Sequence, residues 1–469
     1  MDKPQPITAS FLFKPLASLV LWSSLASAAA ANEPTVEWQG GRQEKAELLR
    51  FAPDQLVLRI HGLERTVAAS EFNRWGRLRE PPRGPAFLLS GGSLIVVDDW
   101  NVAQDRIRAE AFWATELSLE RRFLRAAMLA WSTDAMAHDR ELRTWLSAAT
   151  PQAPPSVRDQ LLLESGDTVS GGVLGWEEAS GDEPRRLRVK LARGETRIAA
   201  DTIRAIVWSS RSTGAGDVPS IREPSIREPS IGPGGPTQPP ATASKPTGWL
   251  LGLRDGSLLR CDRVDSGQTR AGANGGGTGS GSLVLMLRDG VALTCDAAML
   301  RDELVFVQPL SPRVRFLSDL ETSGYRHVPL FGLPWGFERD ANAAGGALRC
   351  GGKRHIKGLG MHATSRLAFS LGEPCRRFQA RLGIDDAAGK RGGGDPAAGQ
   401  RGSVIFRVYL DRGAGKWEPA FASGAVRGGD DPIPLDLDIS GAQGLALIVD
   451  AADHGDQGDL ANWLDARVE

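Results

Sequence analysis

The segment GSVIFRVYLD, residues 402–411, decides the fold class of the C-terminal third of this chain. Apolar Val404, Phe406, Val408 and Leu410 occupy every second position of the segment. A period of two places these side chains on one face of a β-strand. The segment is therefore predicted to be a strand with one buried face.

The same alternation recurs on both sides of this strand. It is found in LAFSL (367–371), FQARLGID (378–385), LDLDI (435–439) and ALIVD (446–450). Turns rich in Gly, Asp and Pro separate these segments, and no helical period intervenes. A run of short alternating strands of this kind predicts an antiparallel β-sandwich.

Five ordered motifs in this region resemble the NPCBM/NEW2 family of carbohydrate-binding domains, over residues 315–469. They are KGLGMHA (357–363), RRFQARLGIDDAAG (376–389), GSVIFRVYLD, PLDLDISGAQGLALIVD (434–450) and GDLANWLDARV (458–468). The resemblance implies a galactose-binding-like jelly roll, which accompanies family 98 glycoside hydrolases and holds a sugar at a loop end. The sequence departs from the family at Leu460 and Asn462, where His and Asp are usual, and in the glycine-rich insertion at 390–402.

A sugar site needs an aromatic ring for the apolar face of the sugar and fixed polar groups for its hydroxyls. The candidate residues in or beside the predicted loops are Trp335, His355, Asp385, Asp386, His454, Asn462 and Trp463. Both tryptophans could instead fill the core, and His362 is expected to be structural. No cofactor is required, but Asp385, Asp386 and Asp395 are the acids that a structural Ca²⁺ would use, with solvated loop acids as the alternative.

The N-terminal part contains four weakly similar β-hairpin seeds. They are LLRFAPDQLVLRI (48–60), FLLSGGSLIVVDD (87–99), LLLESGDTVSGGVLGW (161–176) and WLLGLRDGSLLRC (249–261). Repeats built from short strands and Gly turns predict small β-barrels, weakly similar to Sm-like or SH3-like barrels. Residues 103–146 could also be laid on a helix, although comparison with the other copies favours strands. DAMAHDRELRTWLSAA (134–149) is predicted to be a short helical spacer.

The chain is expected to be exported. Lys3 and Lys14 precede an apolar run that ends in small residues near Ala31, which is typical of a cleaved signal peptide, with an uncleaved membrane anchor as the alternative. The predicted organisation is a signal at 1–31, two β-rich repeats at 32–132, a helical and Pro-rich connector at 133–158, a third repeat at 159–210, a disordered linker at 211–247, a fourth repeat at 248–310 with a Gly-rich insertion at 267–282, and the C-terminal module at 311–469. The mature chain would then be periplasmic, cell-surface or extracellular.

Composition narrows the function. Lysine and arginine total 56 and aspartate and glutamate total 57, so the net charge creates no field that attracts nucleic acid, anionic lipid or an acidic polymer. The four cysteines have no zinc-site spacing, and Cys350 with Cys375 is the candidate single bridge. No catalytic motif is found, which leaves a hydrolase site in the N-terminal half as a minor alternative.

The sequence therefore predicts an exported, non-catalytic protein that binds a galactose-type glycan or glycoconjugate through its C-terminal module. The alternative is a structural or protein-interaction role. In that case the β-repeats would carry the surface for a cell-surface or protein partner, and the sandwich would be a stable cap.

Overall fold

The computed structural model describes residues 33–80, 84–103, 105–147, 158–177, 185–209, 248–267, 281–311, 314–330, 334–389, 402–413, 415–453 and 455–469. The predicted signal peptide, the linker at 211–247 and most of the Gly-rich insertion lie outside these residues, as do Asp395 and His454. Nearly every element is a β-strand, which confirms the all-β fold class. No helix in the described ranges is long and apolar enough to cross a membrane.

The N-terminal part forms four small β units. Unit 1 consists of β1 (Thr35–Trp38), β2 (Gln43–Lys45), β3 (Glu47–Ala52), β4 (Gln55–Ile60), β5 (Leu63–Ala68) and β6 (Phe72–Gly76). Unit 2 consists of β7 (Ala86–Leu89), β8 (Leu94–Val96), β9 (Asp99–Ala103), β10 (Arg106–Ala111), β11 (Ala114–Glu120) and β12 (Leu124–Met128). Residues 103–146, for which a helix was the alternative prediction, therefore contain strands β10 and β11.

A helix follows unit 2, and two further units follow the helix. The helix is α1 (Ala135–Ser147), as the sequence predicts. Unit 3 consists of β13 (Asp159–Leu163), β14 (Thr168–Glu177), β15 (Arg186–Leu191), β16 (Gly194–Ala199) and β17 (Ile203–Val207). Unit 4 consists of β18 (Gly248–Leu253), β19 (Leu258–Ser266), β20 (Ser282–Leu287), β21 (Ala292–Asp296), α2 (Ala297–Glu303) and β22 (Leu304–Leu310).

All four units have the same topology. Each is an antiparallel meander whose last strand returns to pair with its first: β6 with β1, β12 with β7, β17 with β13, and β22 with β18. The seed at 48–60 forms β3 and β4, the second hairpin of unit 1, whereas the other three seeds form first hairpins. Its first hairpin, β1–β2, has too few apolar residues to have been recognised, and it turns through Gly40 and Gly41 at φ +92° and +83°.

The four units are not separate barrels, because the closing strands of two units pair with each other. The closing strands β6 and β22 join unit 1 to unit 4, and β12 and β17 join unit 2 to unit 3. Units 2 and 4 meet where Leu94 pairs with Leu258. There the Ser257 hydroxyl accepts from the Val96 N–H at 2.9 Å, and the Ser93 hydroxyl accepts from the Arg260 N–H at 3.0 Å.

These two hydrogen bonds are reciprocal, because Ser93 and Ser257 occupy equivalent positions in the first hairpins of units 2 and 4. One continuous hydrophobic core runs through all four units. Within it Phe51 of unit 1 packs on Trp249 of unit 4 with ring centroids 5.4 Å apart, and Trp100 of unit 2 packs on Trp176 of unit 3 at 5.2 Å. The apolar seeds therefore bury their faces mainly against one another.

The C-terminal part is a two-sheet antiparallel sandwich. Its strands are β23 (Arg315–Phe316), β24 (Thr322–His327), β25 (Glu338–Arg339), β26 (Leu348–Cys350), β27 (Lys353–His355), β28 (Gly358–His362), β29 (Ser365–Ser370), β30 (Arg377–Ile384), β31 (Ser403–Asp411), β32 (Trp417–Ala422), β33 (Val426–Arg427), β34 (Ile433–Asp438), β35 (Gly444–Ala451) and β36 (Leu460–Val468). Sheet I has the order β25-β28-β36-β30-β34, with β23 beside β36. Sheet II has the order β24-β29-β35-β31-β32, with β33 beside β31.

Inward-facing side chains of the two sheets form one core. It contains Phe369 and Phe406 from sheet II and Phe378 and Trp463 from sheet I. Val404, Phe406, Val408 and Leu410 are all buried there, as their alternation predicts. The sandwich predicted from the strand pattern is therefore confirmed.

The sandwich docks on the N-terminal units through sheet I and the hairpin β26–β27. Arg74 of β6 forms ion pairs with Glu37 of β1 and Asp465 of β36, both at 2.9 Å. His355 and Arg381 complete this group, which we call the docking cluster (Glu37, Arg74, His355, Arg381 and Asp465). Its side chains are at most 15% exposed.

Helix α1 is more than a spacer, because it also contacts the sandwich. Asp139 of α1 accepts a hydrogen bond from the Arg349 side chain on β26, and Arg143 pairs with Glu338 of β25 at 2.7 Å. Glu141 pairs with Arg204 of unit 3 at 2.8 Å. The helix therefore links unit 3 to the sandwich.

Candidate functional site

One end of the sandwich gathers the loops that are candidates for ligand binding. His362 at the end of β28 pairs with Leu460 at the start of β36, and His327 at the end of β24 pairs with Ser365 of β29. The chain segments that leave these strands therefore meet at one place. We call this region, formed by the described residues 327–330, 334–337, 362–364, 452–453 and 455–459, the loop end.

Trp335 lies at the loop end and is held in a fixed orientation. Its indole stacks on the imidazole of His362 with ring centroids 4.5 Å apart and an interplanar angle of 18°. Its backbone N–H donates to His327 Nδ1 at 3.1 Å, and its carbonyl accepts from the Tyr325 hydroxyl at 2.9 Å. A half-buried tryptophan with both backbone groups anchored provides a rigid aromatic surface.

The stacked pair has polar and apolar neighbours. His362 Nδ1 lies 2.7 Å from the carbonyl oxygen of Ala363, so Nδ1 carries the hydrogen and Nε2 is an acceptor. Burial lowers the pKa of His362, which keeps the ring neutral near pH 7. The Asp456 carboxylate accepts from the Leu330 N–H at 3.3 Å, and the Leu330 side chain is exposed. The loop end thus combines an aromatic ring, hydrogen-bond acceptors and exposed apolar surface.

Asp385 and Asn462 lie close together but inside the sandwich. The Asp385 carboxylate accepts from Asn462 Nδ2 at 2.6 Å, from Asn342 Nδ2 at 2.9 Å and from the backbone N–H groups of Arg349 and Ala387. Both side chains are buried, and Asn462 belongs to β36 rather than to a loop. Burial raises the pKa of Asp385 despite these hydrogen bonds. The hydrogen bonds of Asp385 therefore connect β36 to the neighbouring loops, and neither the Asp385 nor the Asn462 side chain is accessible to a ligand.

Asp386 holds a tight turn. Its carboxylate accepts from the backbone N–H groups of Gly351 and Gly352, at 3.0 and 2.8 Å, between β26 and β27. Calcium needs an oxygen-rich shell, whereas the partners of Asp385 and Asp386 are N–H donors, so these two acids do not fit a calcium site. Among the described residues no group of three or more His, Cys, Asp or Glu could hold a metal. Calcium with Asp395, which lies outside the described residues, stays a prediction.

Two further candidates are placed where they cannot contact a ligand at the loop end. Trp463 is 0% exposed and packs edge-on against Phe406 at 5.0 Å, so it fills the core, which was the alternative interpretation. His355 lies on β27 instead of in a loop, and its Nδ1–H donates to Asp465 at 2.9 Å within the docking cluster. Of the described candidates, only Trp335 contributes a partly accessible aromatic ring.

Two expectations need further correction. The tryptophans considered as sugar contacts did not include Trp417, which is 40% exposed on the edge strand β32. Its two neighbours, Lys416 and Glu418, are charged, but they do not show where the ring lies, which depends on the strand register. Cys350 and Cys375 form no bridge: all four cysteines are free and buried. Cys350 packs with Leu348 and Leu464, whereas Cys375 belongs to the main sandwich core.

The class of this part of the chain is a two-sheet antiparallel β-sandwich with an aromatic and polar loop end. The particular family is given by a family model: residues 314–469 match the NPCBM/NEW2 domain. The resemblance of this part of the chain to the NPCBM/NEW2 family, found in the five sequence motifs, is therefore confirmed. The match begins at residue 314, four residues after Leu310, where β22, the last strand of unit 4, ends.

One relative among curated proteins is a large protein from Renibacterium salmoninarum that is provisionally named an endo-alpha-N-acetylgalactosaminidase. It is 26% identical over 127 residues, which is 27% of this chain. This chain spans only 7% of the length of that relative. The similarity therefore concerns a small part of the relative.

Solved structures similar to this chain include CBM51 modules. The CBM51 from Clostridium perfringens GH95 in complex with methyl-galactose is 25% identical, with a TM-score of 0.28, and covers 33% of this chain and 99% of its own. The structure of CBM51-2 in complex with GlcNAc and INT domains from Clostridium perfringens ZmpB is 20% identical, with a TM-score of 0.28, and covers 45% of this chain and 43% of its own.

Proposed function

We propose that this chain is an exported, non-catalytic protein that binds a galactose-type glycan through the loop end of its NPCBM/NEW2 domain. The observation that carries the proposal is the stacked pair of Trp335 and His362. Sugar binding requires a fixed aromatic surface with hydrogen-bond acceptors beside it. Trp335 supplies the surface, and His362 Nε2 and the Asp456 carboxylate supply acceptors for hydroxyl groups.

The surroundings of Trp335 also favour an accessible site. Val328 and Leu330, at the loop end, are 51% and 58% exposed, and exposed apolar side chains of this size beside polar groups are typical of binding surfaces. The name of the Renibacterium salmoninarum relative refers to α-N-acetylgalactosamine. This name favours a ligand whose sugar has the galacto configuration. The predicted signal peptide supports export, since glycans of surfaces and matrices lie outside the cell.

The experiment is a glycan array with the mature chain, residues 32–469, and with Trp335→Ala. We expect saturable binding to galactose-type glycans that falls about two- to tenfold in the variant, which is the range expected for one aromatic contact. Trp417→Ala is the matched control, because it removes an exposed tryptophan from the same sandwich away from the loop end. Equal binding by all three proteins would place the sugar elsewhere, and no binding would contradict the proposal. Repeating the array with EDTA tests the calcium prediction.

The alternative, a structural or protein-interaction role for the β-repeats, is favoured by one observation. The strands β5 and β16 each pair with a single neighbour and leave one edge open among the described strands. An open edge can accept an added strand from a partner, although charged residues on both strands also guard against such pairing.

A further inference from the structure

The outer face of sheet II is a second surface for which the proposed function gives no role. The contacts that dock the sandwich on the N-terminal units fall on sheet I and the hairpin β26–β27. The side chains of Val404, Phe406, Val408 and Leu410 point from β31 into the core. Those at the intervening positions of β31, among them Tyr409 and Asp411, therefore point outward.

Trp417 lies flat on this outer face. Asp411 of β31 is the register partner of both Trp417 on β32 and Gly444 on β35, so the three residues form one row on the same face of the sheet. A Cβ placed on Gly444 would lie 2.9 Å from Trp417 Cη2. The indole of Trp417 therefore extends over Asp411 of β31 and reaches Gly444 of β35. It can do so only if the ring lies along the surface of the sheet. One ring face is turned to the sheet and the other to solvent.

The next row of side chains on the same face contains a second aromatic residue. Tyr409 pairs with Pro419 on one side and with Ala446 on the other. Successive same-face rows are about 7 Å apart along a strand. Beyond Ala446 the row ends in Ala368 and Gly324, and a Cβ on Gly324 would meet nothing within 4 Å. Small residues beside the two aromatic side chains leave room for a chain of sugar rings to lie on the sheet.

The third row carries positive charge. Arg326 of β24 and Arg366 of β29 are direct register partners, and both are exposed. Two like charges at directly opposite positions repel each other. Within the part of the chain that the structure describes, neither guanidinium has an ion-pair partner, whereas Arg407 in the same row pairs with Asp450 at 2.7 Å. Two adjacent unpaired guanidinium groups match a carboxylate, which arginine binds with two parallel hydrogen bonds.

We propose that the outer face of sheet II binds an extended polysaccharide whose sugars carry carboxylate groups. Sugar rings lie against Trp417 and Tyr409, and carboxylates bind Arg326 and Arg366. The distance from the first row to the third is longer than one sugar ring, so the occupant is a polymer of uronic acid residues. Arg326 and Arg366 border the loop end, one residue from His327 and Ser365 but on the outer face of the sheet, whereas Trp417 and Tyr409 lie farther from it. The proposal does not rest on the function proposed for the loop end.

The test uses the mature chain and measures its retardation in native gels that contain polygalacturonate. The matched probe is the same polymer with its carboxylates methyl-esterified, which keeps the backbone and removes the charge. We expect retardation by polygalacturonate and little or none by the methyl ester. Retardation should also weaken as salt concentration rises, because the arginine contacts are screened. Equal retardation by both polymers, or none by either, would refute the proposal.

Variants assign the binding to named residues. Trp417→Ala should weaken binding about two- to tenfold, and the double variant Arg326→Gln with Arg366→Gln about tenfold or more, because it removes charge-assisted hydrogen bonds. Gly444→Ala keeps the tryptophan and displaces its ring, so it should also weaken binding. Binding of polygalacturonate by these variants at wild-type strength would contradict the assignment.

Two controls separate loss of binding from loss of folding or of the other site. Arg366→Gln should raise the melting temperature slightly, since it relieves the repulsion from Arg326. Trp335→Ala should leave polygalacturonate binding unchanged, whatever it does to neutral galactose-type glycans. Loss of polygalacturonate binding in Trp335→Ala would place the acidic polymer at the loop end and overturn the proposal.

Discussion

Replacing Arg74 by alanine tests whether the docking cluster holds the sandwich on the N-terminal units. Arg74 contacts Glu37 and Asp465 at 2.9 Å each, and the three side chains are 15%, 5% and 10% exposed. The variant leaves two buried carboxylates with fewer counter-charges. Breaking a buried ion pair by removal of one partner typically costs about 3–5 kcal/mol. For a cooperative unit of 150–250 residues that corresponds to a fall in melting temperature of roughly 6–20 °C.

The same variant should change the dependence of stability on pH. Burial alone would raise the pKa values of Glu37 and Asp465, but the charge of Arg74, with Arg381 at Glu37 and His355 at Asp465, overrides it, and both pKa values lie below the ordinary range. A carboxyl with a lowered pKa contributes stability above its unfolded pKa, about 4, and that stability is lost as the pH falls below this value. Without Arg74 both pKa values rise toward the unfolded value, so the variant should lose less stability than the unmodified chain as the pH falls below about 4.

The assay is differential scanning calorimetry of the mature chain between pH 3 and pH 8. Arg59→Ala is the matched control in the same unit, because Arg59 pairs with Glu47 at 2.6 Å while both side chains are at least 50% exposed. A surface pair of that kind is worth at most about 1 kcal/mol. If Arg74→Ala melts within 1–2 °C of Arg59→Ala, or if their pH profiles coincide, the docking cluster does not stabilise the chain as we argue.

Two further predictions concern the sandwich core and the cysteines. Trp463→Ala should destabilise the chain by about 3–5 kcal/mol in urea unfolding followed by fluorescence, because the fully buried indole would leave a cavity; a change below about 1 kcal/mol would contradict its core position. The four thiols should not react with Ellman's reagent in the folded protein and should all react in denaturant; burial raises the pKa of Cys350 to about 12, and a titre of two in denaturant would indicate a disulfide.

The local pattern was enough to predict the sandwich, because alternation reports directly on which side of a strand is buried. Phe406 and Val408 are buried as expected, and the helix over residues 134–149 forms at Ala135–Ser147. The core role of Trp463 was already the stated alternative. These features depend on residues close in sequence, so the sequence alone can carry them.

Features that depend on pairing between distant segments could not be predicted. Glu37 and Arg381 are 344 residues apart in sequence, yet they are in contact in the docking cluster. His355 belongs to the same cluster and therefore does not lie at the loop end. Trp417 was missed because its position depends on the register that brings Gly444 beneath its ring. Asp385 looked like a loop acid, but the amides that bury it come from Asn342 and Asn462, on two other segments.

Docking through sheet I determines which surfaces of the NPCBM/NEW2 domain can meet a ligand. Sheet I holds the buried charges of Arg381 and Asp465, so an isolated fragment of residues 311–469 would expose them without their partners from unit 1. The loop end and the outer face of sheet II keep exposed apolar or aromatic side chains in the docked state. A chain joined by buried ion pairs presents these two surfaces in a fixed mutual orientation, whereas a domain on a flexible linker would not. A glycan that carries both neutral galactose and uronic acid residues could therefore engage both surfaces at once, and its affinity would exceed that of either component alone.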